Sequence, residues 1–166
     1  MSFRVAAAQY PIDAIPSWGA YEDKLSRWFK AARDGGAELL VFPEYGAMEL
    51  AYMGGEDVRS NLQASIDHVG GLRARVDALH AELARAHHVH VLAASLPERQ
   101  PDGAAHNVAR LVSPEGRIAD QHKLIMTRFE RESWSISGGH DINVVETRFG
   151  RIGVAICYDS EFPLIA

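Results

Sequence analysis

An α/β fold is what this sequence predicts, and two observations carry the prediction. Short apolar runs of strand length alternate with longer segments whose apolar residues recur at helical spacing, and the runs stop abruptly at Pro, Gly or charged residues. The composition agrees: 166 residues, 47% hydrophobic and 23% charged, fit one globular domain that can bury on the order of 70% of its unfolded surface.

Val5-Ala6-Ala7-Ala8 reads as the first strand, ended by Gln9 and Pro11. A helix follows, in which Tyr21, Leu25, Trp28, Phe29 and Ala32 form the apolar stripe, Ser17 caps the start and Gly35-Gly36 can supply left-handed residues at the end. Leu39-Leu40-Val41-Phe42 is the second strand and stops at Pro43-Glu44, so the unit implies a parallel crossover. Leu72, Val76, Leu79, Leu83 and Ala86 place an apolar stripe on the next helix, and Val89 to Ala94 is the strand after it. Asn107 to Val112 is a further strand. Ser113-Pro114-Glu115-Gly116 turns it into an antiparallel partner that starts near Ile118 and leads to His122-Lys123. Val144–Thr147 and Gly150–Ile156 form a last hairpin, which delivers Cys157. No repeat, low-complexity tract or linker divides the chain, so residues 1–166 read as one domain.

Charge and cysteine content exclude several classes. The 22 acidic and 17 basic residues are interspersed, leave a net charge of −5 and form no basic stripe, so no nucleic-acid partner is expected. The N-terminal residues enter a strand directly, with no apolar stretch that would serve as a signal peptide or membrane span. A single cysteine cannot form an intrachain disulfide. The expectation is a cytoplasmic protein without a membrane partner.

That cysteine, Cys157, follows the apolar run Gly153-Val154-Ala155-Ile156 and precedes the polar turn Tyr158-Asp159-Ser160-Glu161. Taken alone it could be a small buried hydrophobe. At a strand's carboxyl end, where open α/β sheets bind ligands, it reads as a nucleophile. Glu44 and Lys123 occupy comparable ends of strands. A thiol titrating near ~8.5 needs a base or a positive neighbour to react at neutral pH. Glu44 offers the base, while Lys123 offers an ammonium that stabilises thiolate and oxyanion, with the Tyr158 N–H as a second donor. Individually, Glu44 and Lys123 could equally be solvated surface residues.

Together these motifs resemble the nitrilase, or carbon-nitrogen hydrolase, superfamily. The resemblance rests on Leu40-Val41-Phe42-Pro43-Glu44, on His122-Lys123 with Phe129-Glu130 following, and on Gly153-Val154-Ala155-Ile156-Cys157-Tyr158-Asp159. The opening Val5-Ala6-Ala7-Ala8-Gln9 is similar to the family's first strand. The resemblance implies a four-layer α-β-β-α sandwich and a cofactor-free thiol hydrolase of small amides, with nitriles and N-carbamoyl compounds as neighbouring substrates. It implies Glu44 as general base, Lys123 as oxyanion stabiliser, Cys157 as nucleophile, and association into homodimers or larger assemblies. Glu130 matches a second glutamate near the lysine, chosen over Glu132 by its spacing to Gly138-Gly139.

Family members run well past the position of Ala166, so a chain cut after the nucleophile strand is expected, incomplete at its C-terminus and lacking pocket walls. A non-catalytic fragment with the same fold is the competing reading. Phe162 to Ala166 reads as the first turn of a helix. Glu161 stands where many members carry an arginine, which disfavours an N-carbamoyl amino acid substrate. Tyr45, Trp134 and Tyr158 are candidate substrate-binding aromatics. His87, His88 and His90 form a histidine cluster, but strand alternation would send His88 and His90 to one face with no acidic or Cys ligand nearby, so no metal is expected.

Overall fold

In the computed structural model, which describes residues 2–165, strand β1 (Val5–Ala7) pairs in parallel with β2 (Leu39–Val41), and β2 in parallel with β3 (His90–Leu92). Helices make both crossovers. α1 (Trp18–Asp34) joins the first pair. A 3-10 helix (Gly46–Gly54), α2 (Glu56–Arg59), α3 (Leu62–Gly71) and α4 (Arg73–His87) join the second. Then come β4 (Leu96–Arg99), β5 (Ala105–Ser113), β6 (Gly116–His122), α5 (Arg128–Glu132), β7 (Ile136–Ser137), β8 (Val144–Thr147) and β9 (Gly150–Gly153).

β5 is the strand on which the sheet is assembled. It pairs antiparallel with β3 near Val112, with β4 from Leu96 to Arg99 and with β6 along Val108–Ser113, and in parallel with β7 at Ala105 and His106. These strands form one mixed sheet, and β8–β9 form a separate antiparallel pair. α1 and α4 cover one face, burying Tyr21, Leu25, Phe29, Val76 and Leu83 against Leu40, Phe42, Val91 and Val112. On the other face Val145 and Ile152 of the hairpin lie over Ala109, Leu111 and Ala119. The α/β class is the one the periodicities predict.

Local chemistry explains most element ends. Ser17 Oγ accepts the Ala20 N–H at 3.3 Å to start α1, and Gly36, at φ +72°, turns the chain after it. α4 starts one residue after Leu72, and its inward stripe is Val76, Leu79, His80, Leu83 and Ala84, with Ala86 outside. A histidine can occupy that stripe because His80 Nδ1 bonds the Val76 carbonyl at 2.9 Å and the ring stands edge-on to Phe42. Lys24, on the buried face of α1, likewise finds partners: Glu49 at 2.6 Å and Asp13 at 2.9 Å.

Several elements depart from the sequence expectation. α3 is a separate short helix, and Gly70 lets it approach β4 closely, since a Cβ there would lie 3.0 Å from the Pro97 carbonyl oxygen. β4 contains Pro97, which sheets tolerate at an edge, and β4 is an edge of this one. The last hairpin stops at Gly153, not Ile156, because no strand lies beside Val154–Ile156 among the described residues. Phe162–Ile165 makes a single turn closed by Ile165 N–H to the Phe162 carbonyl at 2.8 Å; Ala166 lies outside the described residues. No helix among those residues is long and apolar enough to cross a membrane.

Candidate active site

Glu44 leaves the sheet immediately after β2. Phe42 N–H still bonds the Leu92 carbonyl at 2.9 Å, and Pro43 then directs the chain outward. The next residue, Tyr45, takes a left-handed conformation at φ 55° and donates its N–H to Ser95 Oγ at 2.9 Å. Lys123 continues β6 by one bond, from its N–H to the Asn107 carbonyl at 2.9 Å, and its side chain is fully buried. Its Nζ donates to Glu44 Oε1 at 2.7 Å and to Glu130 Oε2 at 2.6 Å. An ammonium carries three protons, so one remains for a substrate oxygen. Asn107 adds a bond from Nδ2 to the same Glu44 Oε1 at 2.9 Å, while its own Oδ1 is buried with no partner among the described residues.

Glu130 is held by the start of its own helix. Thr127 caps α5, and Glu130 Oε2 accepts the Thr127 N–H at 2.9 Å and Oγ1–H at 2.8 Å, a capping box. Oε1 accepts the Tyr45 hydroxyl at 2.9 Å. Burial pushes the Glu130 carboxyl up, but Lys123, Thr127 and Tyr45 outweigh it and leave the group below the usual carboxylate range. For Lys123, burial acts against the charge and the two carboxylates overcome it, so the ammonium is held more firmly than in water. Glu132 points elsewhere, to Arg128 at 2.8 Å on the surface.

Cys157 opens a short 3-10 turn (Cys157–Glu161) and is itself left-handed, at φ 49°, with its side chain exposed. Non-glycine residues hold such backbone only when their surroundings impose it. A cleft of about 130 Å³ lies against it, lined by Pro43, Glu44, Ser95, Ala109 and Val154 among others. The thiol is pushed above its ordinary range, by desolvation first and then by the Glu44 carboxylate, with Lys123 and the Tyr158 N–H pulling the other way. It therefore rests protonated beside a carboxylate that can take the proton.

Two features whose part in the site the sequence reading did not assign hold these pieces together. Asp159 is buried, 1% exposed, and its carboxylate accepts Leu124 N–H at 3.1 Å, Ile125 N–H at 2.7 Å and Ile156 N–H at 3.1 Å. Gly138 and Gly139 pass directly beneath the Lys123 segment: Gly139 N–H bonds the Lys123 carbonyl at 2.8 Å, and added Cβ atoms would lie 2.6 Å from the Leu124 oxygen and 2.5 Å from His122 Cβ. An acidic residue two positions after the sole cysteine was the available signal for Asp159.

The aromatic candidates separate. Tyr45 is tied to Glu130 and packs on Trp134 at 5.0 Å between ring centres, so Trp134 stands behind Tyr45, in a small cluster with Ile66, Ala105 and Ile136. Burial and Glu130 both keep the Tyr45 phenol protonated. The Tyr158 ring packs on Phe162, and its contribution at the thiol is its backbone N–H. The histidines do not form the strand pair that alternation predicts: His88 ends α4 in a left-handed conformation at φ 53°, and His90 stands against Phe149. No group of three His, Cys, Asp or Glu side chains among the described residues is arranged to hold a metal ion.

The family model "Carbon-nitrogen hydrolase" matches residues 4–166. A probable hydrolase of Bacillus subtilis, YhcX, is 30% identical over 98% of this chain and 31% of its own length. Nitrilase 3 of Arabidopsis thaliana is 32% identical over 86% of this chain and 43% of its own. The chain thus spans about a third to a half of these relatives. Among solved structures, an amidase from Nesterenkonia sp. superposes with a TM-score of 0.70 at 22% identity, covering 98% of this chain and 58% of that one. Nit3 of Saccharomyces cerevisiae, a nitrilase-superfamily member, gives 0.62 at 19% identity, covering 90% and 54%. At these identities the structures show a shared fold.

Proposed function

We propose that this chain, which belongs to the carbon-nitrogen hydrolase family, carries the catalytic half of a thiol hydrolase that cleaves small amides through an acyl group held on Cys157. The observation that carries the reading is one cleft lined by both Cys157 and Glu44, whose carboxylate shares the buried Lys123 ammonium with Glu130. The steps follow from these groups. Glu44 takes the thiol proton as Sγ bonds to the amide carbon, and the resulting oxyanion is held by the third Lys123 proton and the Tyr158 N–H. Glu44 passes the proton to the departing amine, the C–N bond breaks, and a thioester remains. Glu44 then deprotonates water, which attacks the thioester; the acid leaves and the proton returns to sulfur.

Glu130 keeps Lys123 charged and fixed, so the ammonium stabilises charge without surrendering a proton. Nitriles fit the same attack through a thioimidate, and the relatives named nitrilases favour them as the second substrate class. The test is intact-mass analysis after brief exposure to amides, nitriles and N-carbamoyl compounds. A covalent adduct on the native chain that is absent in Cys157→Ala is expected, its mass identifying the acyl group; adduct formation that survives Cys157→Ala would sink the assignment.

A further inference from the structure

We propose that Asp159 is a positioning residue whose carboxylate clamps the Cys157 turn to the segment after Lys123 and so holds the thiol against Glu44. This rests on the reading of Glu44 and Cys157 given above. Cys157 reaches the site from residues that have no strand partner: β9 ends at Gly153, and Val154–Ile156 lack a ladder among the described residues. Glu44 and Lys123, by contrast, follow β2 and β6 of the main sheet, to which Phe42 N–H and Lys123 N–H are still bonded. The polar tie between the two parts is Asp159. One oxygen, Oδ1, accepts Ile125 N–H at 2.7 Å and Leu124 N–H at 3.1 Å, from the two residues that follow Lys123. The other, Oδ2, accepts the N–H of Ile156, the residue before Cys157, at 3.1 Å and shares the Leu124 N–H at 3.3 Å.

The same residue closes the turn from its backbone, Asp159 N–H to the Ile156 carbonyl at 3.1 Å, which places the left-handed Cys157 inside a loop fastened at both ends. A carboxylate suits this position because it offers lone pairs in several directions and donates nothing. Asparagine would keep one oxygen for the Leu124 and Ile125 N–H groups and turn an NH2 toward the Ile156 N–H, donor against donor. Leucine of similar size would remove every one of the side-chain bonds and keep the backbone one.

The clamp is tested by asking whether the thiol still senses Glu44. In the native chain, Glu44→Gln removes the carboxylate that, after desolvation, raises the thiol's titration, so alkylation of Cys157 by iodoacetamide at pH 8 should accelerate about tenfold. In an Asp159→Leu background the same change should accelerate alkylation less than about twofold, and in Asp159→Asn about threefold, because a released thiol no longer sits beside Glu44. An undiminished tenfold response in both backgrounds, with circular dichroism and melting curves showing folded protein, would overturn the clamp. Should Asp159→Leu fail to fold, Asp159→Asn alone decides the matter by the same ratio. No acceleration by Glu44→Gln in the native chain would instead remove the Glu44 assignment, and the clamp would fall with it.

Discussion

Glu44 Oε1 receives both Lys123 Nζ and Asn107 Nδ2, which leaves its other oxygen for the proposed role of base. Asn107 is 0% exposed, and its Oδ1 goes without a partner among the described residues; an orphan of that kind costs about 1–3 kcal/mol. The orientation is tolerated because a carboxylate can only accept, so the amide must present nitrogen to Glu44. Asn107→Asp would set a second carboxylate in that contact, and the two would share a proton. Hydrolysis at pH 7 should drop at least tenfold and the acidic limb of the rate profile should move to higher pH. A profile superimposable on the native one would show that Asn107 does not act on Glu44. Asn107 could not be read as part of the site from sequence: it sits inside a strand pattern, and its neighbours in the sequence say nothing about Glu44, 63 positions away. The charged members were legible because their residue types and order match a known chemistry.

Among the helices, α4 shows where sequence patterning succeeds and where it slips. Its period was readable, but the stripe is rotated by about one position because His80, a polar letter, lies inside while Ala86 lies out. Burial lowers the His80 ring from 6.5 to about 4, so it stays neutral in the folded protein. Above pH 6.5 both folded and unfolded chains carry it neutral and stability is undiminished. As the pH falls from 6.5 to about 4 the unfolded chain takes the proton first, and stability declines by ~3 kcal/mol across that window. His80→Leu should flatten this part of the dependence, read as urea midpoints at pH 7 and pH 4.5; an unchanged slope would place the acid sensitivity elsewhere. α1 makes a comparable point through Lys24, which looks like a surface residue by type and is 5% exposed. Its partner Glu49 also accepts Tyr10 OH and, at 3.0 Å, Asp13 N–H, so the pair joins α1, the loop before it and the 3-10 helix. Lys24→Met strands the Glu49 charge and should cost about 3–5 kcal/mol in urea unfolding, whereas Lys24→Met combined with Glu49→Leu should recover only part of it, because the Tyr10 hydroxyl and the Asp13 N–H then lose their acceptor. Short elements such as α3, β4 and β7 escaped sequence reading for a different reason. Each is fixed by long-range partners, with β7 only two residues long against β5.

At the scale of the molecule, the parallel β1–β2–β3 part follows the strand-helix-strand rhythm of the sequence, while the pairing of β5 with β3, β4, β6 and β7 does not. Register of that kind depends on which hydrophobic faces meet, and a single chain of letters leaves several arrangements open. The assembly also divides the site unequally. Amide hydrogen exchange should find β5 and its neighbours among the slowest positions and β8–β9, whose ladder is only its own, among the fastest. Equal protection of hairpin and sheet would contradict that division. Two of the groups proposed to react therefore follow strands of the main sheet, while Cys157 follows the hairpin and is joined to that sheet through Asp159. Loss of function on mild heating or in low denaturant should come before loss of secondary structure, with the sulfur drifting out of register while the base and the ammonium stay where they were.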